Sequence, residues 1–99
     1  MPTVRLEHPI TDFDLWKTAF DRDPIDRAGS GVVAHRIYRP ADDPAYVMVD
    51  LDVEDQAAAE RVCEALERLW QSREAAPALA GRTQLRIIDA VEVETYRVS

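Results

Sequence analysis

From residue 3 to residue 8, in "TVRLEH", Val4 and Leu6 alternate with Arg5 and Glu7, the period-two signature of a half-buried strand. Pro9, lacking an N–H, predicts its end. In the stretch that follows, "ITDFDLWKTAF", Thr11 stands as N-cap, Asp14 sits three residues on, and Ile10 is placed to staple onto Leu15. Asp12 and Asp14 also suit the positive end of a helix dipole, so a helix is predicted from Asp12. Along it Phe13, Trp16, Ala19 and Phe20 share one side, with Asp14, Lys17, Thr18 and Asp21 on the other. "DPIDRAG" predicts a further short helical turn capped by Asp23 with Pro24 first in it, ended by Gly29 and Gly31 in left-handed conformations.

Residues 32 to 39, "VVAHRIYR", are rich in β-branched and aromatic side chains, and residues 45 to 53 alternate Val47, Val49 and Leu51 with Tyr46, Met48, Asp50 and Asp52. The intervening "PADDP" carries turn chemistry, which makes the pair a hairpin. From about Glu54 to Ala75 an Ala-, Glu- and Arg-rich segment puts Ala59, Val62, Leu66, Leu69 and Trp70 on one stripe, predicting a long helix. Pro77 and Gly81 mark its exit, and "TQLRIIDAVEVETY" predicts a long last strand.

The order is β-α-β-β-α-β, and two helices on one face of a four-stranded antiparallel sheet satisfy it economically: an α+β, ferredoxin-like architecture. Val4, Leu6, Val47, Val49, Leu51, Leu85 and Ile87 should then face the helices. The opposite face carries Arg5, Glu7, Tyr46, Met48, Asp50, Gln84, Arg86 and Ile88. Its mixture of apolar and paired-sign charged residues predicts a homodimer through the sheet, with Asp50 and Arg86 pairing across it; the alternative is an ordinary solvated face. The end of the last strand, "VEVETYRV", is expected to outrun its neighbours and pair with the second subunit.

Ninety-nine residues make one domain, read here as residues 1 to 99 with a single core. No apolar run approaches the roughly 20 residues of a membrane span, and the N-terminal residues lack a signal-peptide pattern, so a cytoplasmic location is expected. The single cysteine, Cys63, falls in an apolar helical run and reads as a buried, inert thiol. A net charge of −7 without clustered basic residues argues against nucleic acid as a partner. Of the twelve basic residues all but Lys17 are Arg, and Asn is absent.

His8 ends the first strand on the Val4 and Leu6 face, under the helices, where a neutral imidazole can serve as general base or bond a ligand; the alternative is a bond to local backbone. His35 lies mid-strand, where alternation leaves its face open. If it shares a face with Val33 and Ile37 it points at the helices, as a second catalytic candidate; otherwise it is a core or interface histidine. Trp16, Phe20, Met48 and Trp70 are candidate walls of a ligand pocket, or simply core. Two His without Cys or acid at a recognised spacing exclude a zinc site, and no metal is expected. There is no GxSxG elbow, and no GxGxxG follows a strand.

His8 and Pro9, Asp12 to Lys17 with Phe20 and Pro24, and Tyr38 to Leu51 together resemble the dimeric α+β barrel superfamily. It comprises antibiotic-biosynthesis monooxygenases, aromatic polyketide cyclases, haem-degrading monooxygenases and stress-responsive barrel proteins. The resemblance implies sheet-to-sheet dimers and ligand pockets between sheet and helices. It also implies, for several branches, oxygenation or cyclisation of aromatic substrates without metal or flavin, hence no cofactor. The haem-degrading branch uses an Asn, Trp and His constellation, which a chain without Asn cannot supply. Two readings follow. One is a cofactor-independent monooxygenase or cyclase for a small aromatic or polyketide-like substrate, with His35 or His8 as base. The other is a non-catalytic dimeric barrel, small-molecule-binding or stress-related, that binds a small molecule or stabilises a partner.

Overall fold

The computed structural model describes residues 1–72 and 80–97. Its elements run β1 (Thr3–Pro9), α1 (Phe13–Asp21), β2 (Val32–Tyr38), β3 (Tyr46–Val53), α2 (Gln56–Trp70) and β4 (Gln84–Ile88). The four strands form one antiparallel sheet in the order β2-β3-β1-β4, the ferredoxin-like topology. Val4, Leu6, Val47, Val49 and Leu51 are buried under the helices against Trp16, Ala58, Ala59, Val62 and Leu66. Leu85, opposite Leu6 on the edge strand β4, packs on this core, but Ile87 remains 37% exposed.

Several local expectations shift. Pro9 is the last residue of β1 rather than the first beyond it: it pairs with Tyr46, and one further bond runs from Ile10 N to Ala45 O. The α1 cap is Asp12, not Thr11. Asp12 has the extended backbone of an N-cap and its carboxylate accepts the Leu15 N–H. Ile10 is in the core whereas Leu15 is 46% exposed, so no staple joins them. The stretch 23–30 forms turns rather than helix. Asp23 sits at φ 54, in the left-handed region that an N-cap avoids, and its carboxylate accepts the Arg27 N–H. Of the two glycines only Gly31 has positive φ; a Cβ on Gly29 would meet the Asp26 carboxylate, which would have to turn aside.

α2 starts later than the pattern implies, behind the Asp55 cap, whose carboxylate accepts the Ala58 N–H. It also ends earlier, at Trp70 with Gln71 as C-cap, rather than running to Ala75, and the Pro77 exit lies outside the described residues. β4 is five residues long, not fourteen. Ile88 pairs with Thr3, the first residue of β1, and the pairing of β4 with β1 stops there. Residues 89–97 form no strand, and Val91, Val93 and Tyr96 are exposed.

On the outer face the register places Arg36, Asp50, Arg5 and Arg86 side by side across the four strands. Within the chain Arg5 stands between Asp50 and Arg86 and takes both Asp50 oxygens, Nε–Oδ1 at 2.7 Å and a terminal nitrogen to Oδ2 at 2.9 Å. Arg36 grips Asp52 in the same fork-like way, at 2.7 and 2.9 Å, and lies 3.7 Å from Asp50. Asp50 is thereby only 4% exposed although its face carries no helix.

Candidate functional site

Under the helices lies a cavity of about 300 Å³. Its floor is Leu6 and His8 of β1 and Leu51 of β3, and its walls are Trp16, Ala19 and Phe20 of α1 with Leu66, Leu69 and Trp70 of α2. Arg22, Pro24, Ile25 and Arg27, from the turns after α1, close its rim. The aromatic wall is built by helical spacing: Trp16 and Phe20, one turn apart, stack with ring centroids 5.1 Å apart. Trp70, at the last turn of α2, faces His8 edge-on at 6.2 Å. The lining is mostly apolar, with few polar groups, as small-molecule sites are.

His8 is 1% exposed, placed there by the inward alternation of β1 opposite Val47. Its hydrogen bonds fix its tautomer. The Trp16 indole can only donate, and its Nε1 is 3.3 Å from His8 Nε2, so Nε2 is the acceptor. The proton therefore sits on Nδ1 and is donated to the Pro9 carbonyl at 3.0 Å. Burial pushes the His8 pKa below its usual 6.5, while the Pro9 carbonyl pulls the other way. The group is a neutral imidazole with both nitrogens engaged, and the backbone bond foreseen at the strand exit is present alongside the cavity position.

His35 pairs with Leu51 and shares the helix-facing side with Ile37, which stands opposite Val49; a bulge between Val32 and Ala34 takes Val33 out of that alternation. Its ring meets Phe20 edge-on at 5.2 Å, so it packs behind the aromatic wall rather than lining the cavity. β2 is an edge strand, and His35 is exposed. Met48 is opposite Glu7 and Tyr38 on the outer face, away from the cavity. Of the six candidates, His8, Trp16, Phe20 and Trp70 come together, and His35 and Met48 do not join them. Cys63 is half-buried, and burial followed by Glu67 and Glu60 pushes its thiol pKa up, which disfavours a nucleophilic thiolate.

The cationic rim was not foreseen. Arg22 and Arg27 belong to turns without periodicity, and the only hint of them was the α1 stripe ending at Phe20 immediately before. Among the described residues no group of three His, Cys, Asp or Glu side chains could hold a metal ion, and no helix is long and apolar enough to cross a membrane.

No family model matches the chain, and no curated protein matches it. Solved structures do match in fold. A crystal structure described as an antibiotic biosynthesis monooxygenase is 18% identical, covering 93% of this chain and 100% of that one, at TM-score 0.67. SnoaB of Streptomyces nogalater, described as a cofactor-independent oxygenase, is 15% identical, covering 93% and 94%, at TM-score 0.72. A dimeric ferredoxin-like protein from an uncultured marine organism is 12% identical, covering 94% and 97%, at TM-score 0.67. The chain thus shares the ferredoxin-like fold of proteins that include such monooxygenases.

Proposed function

We propose that this protein binds a small aromatic molecule in the cavity between sheet and helices and acts on it as a cofactor-independent monooxygenase or cyclase. The observation that carries the reading is the cavity itself, about 300 Å³ walled by Trp16, Phe20 and Trp70 and reached by the His8 imidazole. Aromatic walls present flat faces that stack on or meet the edge of a planar ligand. His8 is the base of this reading. A substrate hydroxyl takes the place of the Trp16 N–H on Nε2, an exchange eased by the length of that bond, 3.3 Å. An ionised, electron-rich aromatic can then give an electron to dioxygen directly. Fold-level likeness to a cofactor-independent oxygenase supports this chemistry as an analogy.

The engagement of both His8 nitrogens favours the second reading, a binding protein without catalysis. Hydroxylated naphthalenes and anthracenes, supplied in air with EDTA, separate the two. Oxygen uptake above the protein-free rate, lost in His8→Leu, supports the enzyme. Quenching of Trp fluorescence without uptake leaves the binding protein, and neither response removes both. The reading includes assembly of two copies through the outer sheet face, supported by exposed Tyr38, Val91, Val93 and Tyr96 and by likeness to a dimeric ferredoxin-like protein. A sedimentation mass of 11.2 kDa at micromolar concentration, rather than twice that, overturns the assembly.

A further inference from the structure

The chain carries 19 acidic residues and a net charge of −7, yet among the described residues no Asp or Glu lines the cavity. Among the described residues the only fully charged side chains at its surface are Arg22 and Arg27. The two differ in what they have left to offer. Arg27 is occupied: it donates to the Phe20 carbonyl at 2.8 Å, lies 3.4 Å from Asp23, and its guanidinium covers the Phe20 ring at 3.9 Å. Arg22, the C-cap of α1, has no side-chain hydrogen bond or ion pair among the described residues. Its acidic sequence neighbours are held elsewhere, Asp21 by Lys17 at 2.6 Å and Asp23 by Arg27.

The neutral polar groups point the same way. The Trp16 N–H is spent on His8 and the His8 N–H on Pro9, whereas the Trp70 indole N–H has no partner among the described residues. Among the described lining residues the side-chain polar groups left uncommitted are therefore donors rather than acceptors, one of them a full positive charge at the mouth. A neutral hydrocarbon would need neither. A guanidinium meets a carboxylate through two parallel N–H bonds, a match of shape as well as charge.

We propose that the ligand of this cavity is an aromatic carboxylate, its ring system among the tryptophans and its carboxylate at the rim on Arg22. The proposal rests on the reading of the cavity as an aromatic-binding site and adds the charge of what enters it. Arg22 is then a specificity-determining residue, and an uncharged analogue of the same shape is discriminated against.

The test uses 2-naphthoate and its neutral isostere 2-naphthamide, titrated at pH 7.5 and low salt against Trp fluorescence, which Trp16 and Trp70 report from inside the site. Naphthoate is expected to bind about tenfold tighter than naphthamide, with the advantage shrinking as salt is added. Arg22→Gln brings naphthoate down to the affinity of the amide, and Arg22→Lys restores part of the preference. Equal binding of the two probes to the unaltered protein, or a naphthoate preference that survives Arg22→Gln in protein of unchanged circular dichroism, overturns the proposal and leaves the aromatic cavity standing. Failure of both probes to bind removes the cavity reading itself.

Discussion

Replacing Trp16 by Phe takes one N–H and part of one ring out of the cavity wall, and the structure sets the size of each loss. Among the described residues the N–H is the sole donor to His8 Nε2, an acceptor buried to 1% residual exposure. Leaving such an acceptor unmatched costs about 1–3 kcal/mol, and the 3.3 Å length of this bond puts it near the lower end. Trimming a ring that is 95% buried adds a cavity term of about 1–2 kcal/mol. Trp16→Phe should therefore lower stability by about 2–3 kcal/mol in urea unfolding, through the midpoint and not the slope. A double-mutant cycle with His8→Leu isolates the bond, because Leu leaves Trp16 with no acceptor to lose; a coupling of about 1 kcal/mol is expected.

The same bond has a pH signature. An imidazolium has no lone pair to receive an indole N–H, so the bond opposes protonation, in the direction in which burial already lowers the His8 pKa. The unfolded chain, with His8 near 6.5, takes up the proton first as pH falls. Stability from this group is thus complete above about 6.5 and declines as pH drops from there through the lowered folded value. In Trp16→Phe the His8 pKa rises and the acid-side decline becomes shallower, both readable by NMR titration of the His8 ring and unfolding at pH 5 to 8. A coupling below about 0.3 kcal/mol, or a His8 pKa that stays put or falls, refutes the reasoning.

Two further substitutions probe the frame around the cavity. Gly31→Ala combines a backbone at φ 100 with a Cβ 2.7 Å from the Ala58 Cβ, and should cost about 2 kcal/mol or more in thermal unfolding; a change within about 0.5 kcal/mol contradicts the local geometry. Asp50→Ala leaves Arg36, Arg5 and Arg86 in one row with no acid among them. Because the Arg5 and Arg36 side chains are 43% and 44% exposed, the loss should be about 2–3 kcal/mol rather than the 3–5 of a fully buried pair, and added salt should recover part of it.

The strands and their facing were legible because alternation leaves few choices: once Val4 and Leu6 face inward, His8 must follow. The cap of α1 was misplaced by one residue because Thr11 and Asp12 are both good caps, and only backbone geometry separates them. β4 was overestimated for a different reason. "DAVEVETY" has the propensity of a strand, but a strand also needs a paired neighbour, and the pairing with β1 ends at Thr3. His35 was undecided until its register with Leu51 was visible, and its exposure follows from the edge position of β2, which no local pattern encodes. The burial of Asp50 on a face without helices comes from arginines two strands apart in the sheet order, and the cavity rim from turns. Both are tertiary juxtapositions of residues distant in sequence or lacking a period.

The arginine–aspartate lattice on the outer face also shapes how two of these acidic chains would meet. Arg5, Arg36 and Arg86 balance Glu7, Asp50 and Asp52, and each of those acids already has a donor within its own chain: Tyr46 for Glu7, Arg5 for Asp50, Arg36 and Thr3 for Asp52. The seven surplus negative charges consequently lie elsewhere on the molecule. Two copies repel through most approaches, and least when their sheets turn toward each other, so the distribution of charge biases the orientation of an encounter before any contact is made.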